Sequence, residues 1–129
     1  MISAWQWINA AVVLAIHDEQ LAEHGGRRGI RDIGLLHSAL ARARHKASYG
    51  KPDVAQLAAA YAFGIIKGHP FVDCNKRTAL VVLELFLLMN GYRLVTEESE
   101  ILDVILGLAR GKITEKRFEN WIRARLRAE

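Results

Sequence analysis

The chain has 129 residues, of which 51% are hydrophobic and 25% are charged, and its formal net charge is +4. This length suits one domain with its own core, and the composition is that of a globular rather than a disordered protein. The single cysteine, Cys74, excludes an intramolecular disulfide and favours a reducing compartment. We therefore expect one domain over residues 1–129, located in the cytoplasm.

The apolar segments favour neither a membrane protein nor a secreted one. The N-terminus lacks a basic region, and its apolar stretch 10–16 is short and followed by charged residues. The longest apolar run, 79–89, contains Glu84 and is shorter than the roughly 20 residues that a membrane span needs. The cations are spread along the chain apart from an arginine-rich C-terminus, so we expect a solvated helix face there and no direct DNA binding.

Apolar residues recur at helical spacing along nearly the whole chain. Gly, Pro and Asn residues, which commonly end helices, divide this pattern into six segments, over about 4–24, 32–45, 53–68, 75–90, 96–111 and 114–126. No alternation of apolar and polar residues indicates a sheet of any size. The sequence thus predicts an all-α fold, a compact bundle of about six helices.

Capping residues mark where these helices begin. Asp32, Thr96 and Thr114 are each expected to cap a helix, because their short side chains can accept from a free N–H of the first turn. Asp53 is followed three residues later by Gln56, which predicts a capping box. Glu84, alone in an apolar run, is expected to pair with a cation of a neighbouring helix.

The segment between the third and fourth predicted helices gathers residues suited to chemistry; it reads His69-Pro-Phe-Val-Asp-Cys-Asn-Lys-Arg77. The first N–H groups of the helix that follows have no intrahelical partner and can bind an anion. Lys76 and Arg77 add positive charge beside these groups, and Asp73 can hold a divalent metal. This combination indicates a site for a nucleotide phosphate.

Each of these residues also has a structural interpretation. His69 follows a helix end, where histidines often bond the last carbonyls, but its neighbours favour a general base. Phe71 is interpreted as a core anchor that pins the loop, and Asp73 could instead cap the next helix. Asn75 could be a second cap, or its amide and backbone N–H could line an anion hole. A helix N-terminus could lower the pKa of Cys74, although a small buried side chain explains this residue without thiol catalysis.

Two residues outside the segment are secondary candidates. Lys67 could add a phosphate contact. His17 is interpreted as an ordinary surface or packing histidine of the first helix.

The segment resembles the motif of the Fic/Doc family, and Asn75 to Leu80, Asn-Lys-Arg-Thr-Ala-Leu, is similar to its Doc version. The likeness extends outward from about residue 12 to about residue 125. It includes His24-Gly25-Gly26, Gly29-Ile30-Arg31-Asp32, Leu35-Leu36 with Ser38-Ala39-Leu40, and Asn90-Gly91.

The resemblance implies an all-helical Fic fold and, for Doc toxins, transfer of the ATP γ-phosphate to a threonine of elongation factor Tu, which halts translation. His69 would then take the proton of the target hydroxyl, Asp73 would hold Mg²⁺, and Asn75 would help to form the anion hole. Lys76 and Arg77 would hold phosphates. Related Fic enzymes transfer AMP instead, and a catalytically inactive nucleotide- or protein-binding module is a further alternative.

Two departures from the Fic pattern favour the kinase reaction over AMP transfer: Cys74 replaces the usual glycine, and Lys76 stands where many AMP-transferring members have glycine. The inhibitory motif of regulated Fic enzymes is not matched, because Ile101 follows its nearest equivalent, 96–100. Control is therefore expected from a separate antitoxin, whose disordered C-terminal segment folds as it docks.

Overall fold

The computed structural model describes residues 4–129. Within this range the helices and strands follow the order α1 (Ala10–His24), α2 (Ile33–Tyr49), α3 (Val54–Gly68), α4 (Asn75–Met89), β1 (Tyr92–Leu94), α5 (Glu98–Ala109), α6 (Glu115–Arg123) and β2 (Leu126–Ala128). The strands form an antiparallel pair in which Tyr92 lies opposite Ala128. The predicted all-α class is confirmed, with one small ribbon of strands in addition.

Helix α3 lies at the centre of the bundle and packs against α2, α4 and α6. Most of its side chains are buried, including Leu57, Tyr61 and Ile65. Small residues allow the close approach of α2, since a Cβ added to Gly64 would lie 2.9 Å from the Cα of Ala39. The end of α3, from which the candidate segment leaves, is therefore anchored in tightly packed structure.

Several predicted helix boundaries are confirmed because their caps are local. The carboxylate of Asp53 accepts from the Gln56 N–H, and the Gln56 side chain accepts from the Asp53 N–H, both at 2.9 Å. Asp32 and Thr114 also cap their helices as predicted. Helix α3 ends at Gly68 and α4 begins at Asn75, as the sequence indicated.

The predicted start of the first helix at residue 4 is wrong, because α1 begins at Ala10. The Asn9 side chain accepts from the Val12 N–H at 3.0 Å and caps the helix there. Just before it, the N–H of the buried Ile8 donates to the Tyr61 hydroxyl at 3.1 Å. This bond to α3 holds the preceding chain outside the helix.

The predicted cap of the fifth helix is also wrong. Glu97 is the N-cap residue, and the Thr96 hydroxyl lies 3.3 Å from the Glu100 carboxylate instead of bonding a backbone N–H of the first turn. The Val95 N–H donates to the Arg125 carbonyl at 2.8 Å, which keeps the chain extended up to this point. Helix α2 also continues beyond its predicted end, to Tyr49.

Glu84 does not pair with a cation among residues 4–129. Glu84 is exposed by surface area, but partial desolvation by its neighbours raises the pKa of its carboxyl, and the nearby Glu98 raises it further. No helix in the described part of the chain is long and apolar enough to cross a membrane.

Candidate functional site

Residues 69–74, here called the motif loop, connect α3 to α4. The loop begins at His69 and ends at Cys74, and both adopt the left-handed conformation, with φ of 53° and 64°. This conformation costs a non-glycine residue on the order of 1–3 kcal/mol and persists only where the surroundings impose it. The contacts that impose it here come from both flanking helices, from α1 and from the segment before α2.

The side chains of Phe71 and Asn75 fix the middle of the motif loop. Phe71 is fully buried, which agrees with its interpretation as a core anchor. The Asn75 amide oxygen accepts from the Phe71 N–H at 3.0 Å, and its amide nitrogen donates to the Phe71 carbonyl at 2.9 Å. Because the amide oxygen and one amide N–H are engaged, the side chain of Asn75 braces the loop, and its backbone N–H lies at the helix terminus where an anion can bind.

Residues 27–32, here called the strap, run beside the motif loop. The N–H groups of Arg31 and Asp32 donate to the Pro70 carbonyl at 2.7 and 3.0 Å, and the Val72 N–H donates to the Gly29 carbonyl at 3.0 Å. The strap and the loop thus pair like two short antiparallel strands, with a bridge between Ile30 and Phe71.

The guanidinium of Arg31 joins the strap to the end of α3. Its Nε donates to the His69 carbonyl at 2.7 Å, and its Nη2 donates to the Gly68 carbonyl at 2.8 Å. These bonds satisfy carbonyls that a helix C-terminus leaves free and hold His69 in position. The sequence does not predict that Arg31 binds the end of α3, because no local pattern separates Arg31 from the neighbouring Arg27 and Arg28.

The motif loop and the end of α1 enclose a cleft of about 280 Å³. It brings together most of the predicted site residues; its walls are His24, Gly25, His69, Asp73, Cys74, Asn75, Lys76 and Arg77. The imidazole of His69 is exposed to the cleft and bonds no other side chain of residues 4–129. It is therefore free to exchange a proton with a bound molecule.

The carboxylate of Asp73 is held by backbone donors on both oxygens. Oδ2 accepts from the Arg27 N–H at 3.0 Å, and Oδ1 accepts from the Cys74 N–H at 2.8 Å. These bonds, first that from Arg27, lower the pKa of Asp73, and the charges of Arg27 and Lys76 lower it further. Asp73 is thus an anion at neutral pH. The alternative prediction, that it caps α4, is wrong, because α4 has no side-chain cap.

The donor set fits a metal that needs few protein ligands. Residues 4–129 contain no cluster of three or more His, Cys, Asp or Glu side chains suited to an ion. Mg²⁺ keeps several waters and is commonly bound by one or two carboxylates together with substrate phosphates. The ionised carboxylate of Asp73, next to an anion-binding helix terminus, is compatible with that mode.

The first turn of α4 supplies the positive side of the cleft. Its leading N–H groups are free of intrahelical bonds, and the macrodipole favours an anion at this end. Lys76 is exposed, whereas Arg77 is partly buried and its guanidinium lies near side chains of α1 and α5. Its Nη1 is 3.3 Å from Nε2 of His24 and 3.6 Å from a carboxylate oxygen of Glu98. His24 is one of the residues that carry the family resemblance, but the sequence does not predict a role for it in the site.

Cys74 contradicts the expectation of a lowered pKa. Burial raises the pKa of its thiol, the Asp73 charge raises it further, and Arg77 opposes them only in part. The thiol lies 3.5 Å from the Gly25 carbonyl. Cys74 is therefore a thiol that packs at the cleft wall rather than a reactive thiolate.

The two secondary candidates lie in different parts of the structure. Lys67 lines a separate groove between α2 and α3, where its Nζ lies 5.8 Å from the centre of the Phe63 ring. It is not part of the cleft wall. His17, interpreted as an ordinary surface or packing histidine, is almost completely buried and packs against the motif loop, which agrees with the second of these alternatives.

Comparison with known proteins shows the family to which the chain belongs. Residues 7–87 match the model of the Fic/DOC family. The chain is 33% identical to "Protein kinase doc" of Escherichia phage P1 over 108 residues, which cover 83% of this chain and 85% of that protein. It is 38% identical over 76 residues to "Toxin Doc" of Mycolicibacterium smegmatis (strain ATCC 700084 / mc(2)155), covering 57% of this chain and 58% of that toxin. The chain therefore belongs to the Fic/DOC family and resembles its Doc-type members.

Proposed function

We propose that this protein is a Doc-type toxin kinase. It transfers the γ-phosphate of ATP to a threonine hydroxyl of a translation factor such as elongation factor Tu and so inhibits translation in the cytoplasm. The observation that carries the proposal is one cleft in which the free imidazole of His69 faces the N-terminus of α4, with Asp73, Lys76 and Arg77 on its walls. The kinase name of the relative from Escherichia phage P1 supports it.

In the proposed reaction the threonine oxygen attacks the γ-phosphorus of ATP. The hydroxyl proton passes to the imidazole of His69, and the bond from the γ-phosphorus to the bridging oxygen breaks, so that ADP leaves with the bonding electrons. Phosphoryl transfer of this kind depends mainly on positioning and charge stabilisation. His69 suits the role of base because a neutral imidazole has a nitrogen lone pair that can accept the hydroxyl proton.

The groups on the walls of the cleft would hold the phosphates. The N–H groups of Asn75 and Lys76 point out of the helix terminus, where the macrodipole stabilises negative charge. The Lys76 ammonium and the Arg77 guanidinium would neutralise phosphate oxygens, the latter as a two-pronged donor. Asp73 would hold Mg²⁺, which supplies further charge neutralisation when bound to ATP.

The cleft wall favours γ-phosphate transfer over AMP transfer. In AMP transfer the α-phosphate must reach His69, and a glycine leaves room for it beside the motif loop. Here Cys74 and Lys76 stand where AMP-transferring enzymes commonly have glycines, and both line the cleft. Their side chains leave less space near the helix terminus, which suits the outermost phosphate.

Labelled ATP tests the transferred group. The protein is incubated with purified elongation factor Tu and ATP labelled at the α- or the γ-phosphorus, with a bacterial lysate as a second target source. We expect label on the target from the γ position alone. Label from the α position alone would contradict the kinase and leave AMP transfer. ATP binding without labelling of any protein would indicate an inactive binding module.

Substitution of the proposed base tests the mechanism. His69→Ala should lower the rate of labelling by on the order of 10²–10⁴-fold. His37, exposed on α2 and absent from the cleft wall, offers a matched control, and His37→Ala should label at the wild-type rate. Equal rates for His69→Ala and the wild type would remove His69 from the reaction.

We further propose that an antitoxin controls this activity. The chain lacks a match to the inhibitory motif of regulated Fic enzymes, so inhibition would come from a partner with a disordered C-terminal segment that folds on docking. Co-expression with the product of an adjacent short reading frame should restore growth of cells that make the protein. Failure of every neighbouring product to restore growth would contradict this mode of control.

A further inference from the structure

We infer that His17 is a positioning residue that holds the Asp73–Cys74 peptide, and with it the proposed metal-binding carboxylate, in its working orientation. The inference rests on the proposed function for its catalytic meaning. The contacts that carry it lie within the protein and do not involve ATP.

His17 reaches the motif loop from α1, and 97% of its surface is removed from solvent, since its exposure is 3%. Its ring lies parallel to that of Phe71, with the centres 3.7 Å apart and the planes inclined by 8°. Its Nε2 lies 2.9 Å from the carbonyl oxygen of Asp73. A carbonyl oxygen can only accept, so Nε2 carries the proton in this bond.

The bond acts on a planar unit. Because the peptide group is rigid, fixing the Asp73 carbonyl also fixes the direction of the Cys74 N–H. That N–H donates to Oδ1 of the Asp73 carboxylate at 2.8 Å. The hydrogen bond from His17 therefore orients the donor that in turn orients the carboxylate.

The same bond supports the unfavourable backbone of Cys74, whose φ is 64° and ψ is 26°. If the peptide before Cys74 rotated toward a common conformation, the Asp73 carbonyl would leave His17 and the first N–H groups of α4 would change direction. Other carbonyls of the loop are held from elsewhere, those of His69 and Pro70 by the strap and that of Phe71 by Asn75. His17 is the partner that holds the carbonyl of Asp73.

The stacking and the hydrogen bond can be separated by substitution. His17→Phe keeps a flat ring against Phe71 but removes the donor, whereas His17→Gln keeps an N–H donor and removes the ring. Val13 provides a matched control on the same helix, since it is fully buried one turn earlier and its side chain has no donor for the Asp73 carbonyl. Val13→Ala should lower stability without moving the loop.

The first measurement reports the loop without any nucleotide. Cys74 is the only cysteine of the chain, so its rate of alkylation by iodoacetamide at fixed pH follows the opening of the motif loop. We expect a several-fold faster rate in His17→Phe, a rate near that of the wild type in His17→Gln, and no change in Val13→Ala beyond what its lower stability explains. Equal rates in His17→Phe and the wild type would overturn the inference.

The second measurement reports the metal site. Titration of ATP in the presence of Mn²⁺, followed by the electron spin resonance of the ion, should show about 10-fold or more weaker binding in His17→Phe, as is usual when a group that orients a metal ligand is lost. His17→Gln should restore most of the affinity. Losses that follow only the melting temperature of each variant would leave His17 a packing residue. If the wild type itself binds no Mn²⁺–ATP, the proposed function fails while the alkylation result still decides the role of His17.

Discussion

The replacement of Gly26 by alanine tests how tightly the cleft is built. Gly26 lies in the turn after α1 with φ of 129°, a conformation that side chains rarely adopt. A Cβ at this position would lie 2.9 Å from Oδ2 of Asp73, 3.1 Å from Cδ2 of Leu21 and 3.3 Å from the sulfur of Cys74. The substitution therefore combines backbone strain with a collision against the motif loop.

The two costs can be estimated separately. Backbone strain of this kind amounts to about 1–3 kcal/mol, and overpacking against well-ordered neighbours adds about 1–3 kcal/mol. We expect Gly26→Ala to lower the free energy of unfolding by about 2–6 kcal/mol. With a urea dependence of about 2 kcal/mol per molar, the denaturation midpoint should fall by roughly 1–3 M.

Two other glycines of the chain provide the controls. Gly25 also has a positive φ, 77°, but an added Cβ would meet nothing within 4 Å, so Gly25→Ala reports the strain alone. Gly50 has φ of −162° and equally open surroundings, so Gly50→Ala should change stability little. Urea denaturation followed by circular dichroism measures all three variants.

The order of the three losses decides the argument. Equal losses for Gly26→Ala and Gly25→Ala would show that the close approach to Asp73 and Leu21 has no energetic consequence. If both variants matched Gly50→Ala, the argument from backbone strain would itself be refuted.

Four further substitutions test features of the structure. Arg31→Lys cannot reproduce the paired bonds to the carbonyls of Gly68 and His69, so we expect a loss of about 1 kcal/mol in urea denaturation and slower labelling of the target; unchanged values of both would contradict the role of Arg31. Partial desolvation and Glu98 raise the pKa of Glu84 in the folded protein, so the ionised carboxylate destabilises the fold at pH 7. This loss of stability disappears below the pKa that Glu84 has in the unfolded chain, because the carboxyl is then protonated in both states. Glu84→Gln should accordingly raise the denaturation midpoint at pH 7 but not below about pH 4, and a gain that persists in acid would refute this explanation. Lys67→Ala should leave the KM for ATP unchanged, because Lys67 lines another groove. Lys76→Ala should raise the KM, because Lys76 lines the cleft. A raised KM in Lys67→Ala together with an unchanged KM in Lys76→Ala would favour the phosphate contact that the sequence suggested for Lys67.

The sequence predicted the features that depend on neighbours along the chain. The capping box of Asp53 and Gln56 and the caps at Asp32 and Thr114 involve residues three positions apart, so the local pattern was sufficient. The end of α3 at Gly68 and the start of α4 at Asn75 were predicted for the same reason. The two helix starts that were predicted wrongly, at residue 4 and at Thr96, were decided by bonds to Tyr61 and to Arg125 from distant parts of the chain.

The candidate site also has one part that the sequence predicted and one part that it did not. The residues of the motif were evident from the sequence because His69, Asp73, Lys76 and Arg77 are close along the chain and have recognisable chemistry. Their support was not evident, because it comes from residues far away in sequence. Asn75 shows a different limit: it lies only four positions after Phe71, yet the sequence left several roles open for it, and only the fold revealed that both ends of its amide bind Phe71.

The sequence by itself thus determined the helical class, most helix ends and the chemical composition of one loop. The tertiary structure decided which side chains hold that loop and which lie apart from it. His17 and Asp73 are separated by 56 positions, and Arg31 and His69 by 38. Contacts at such separations depend on how α1, α3 and α4 pack, and the hydrophobic burial that drives this packing does not specify partners by local pattern. Lys67 lies outside the cleft wall for the same reason: α2 packs against α3, and Lys67 lines the groove between these two helices.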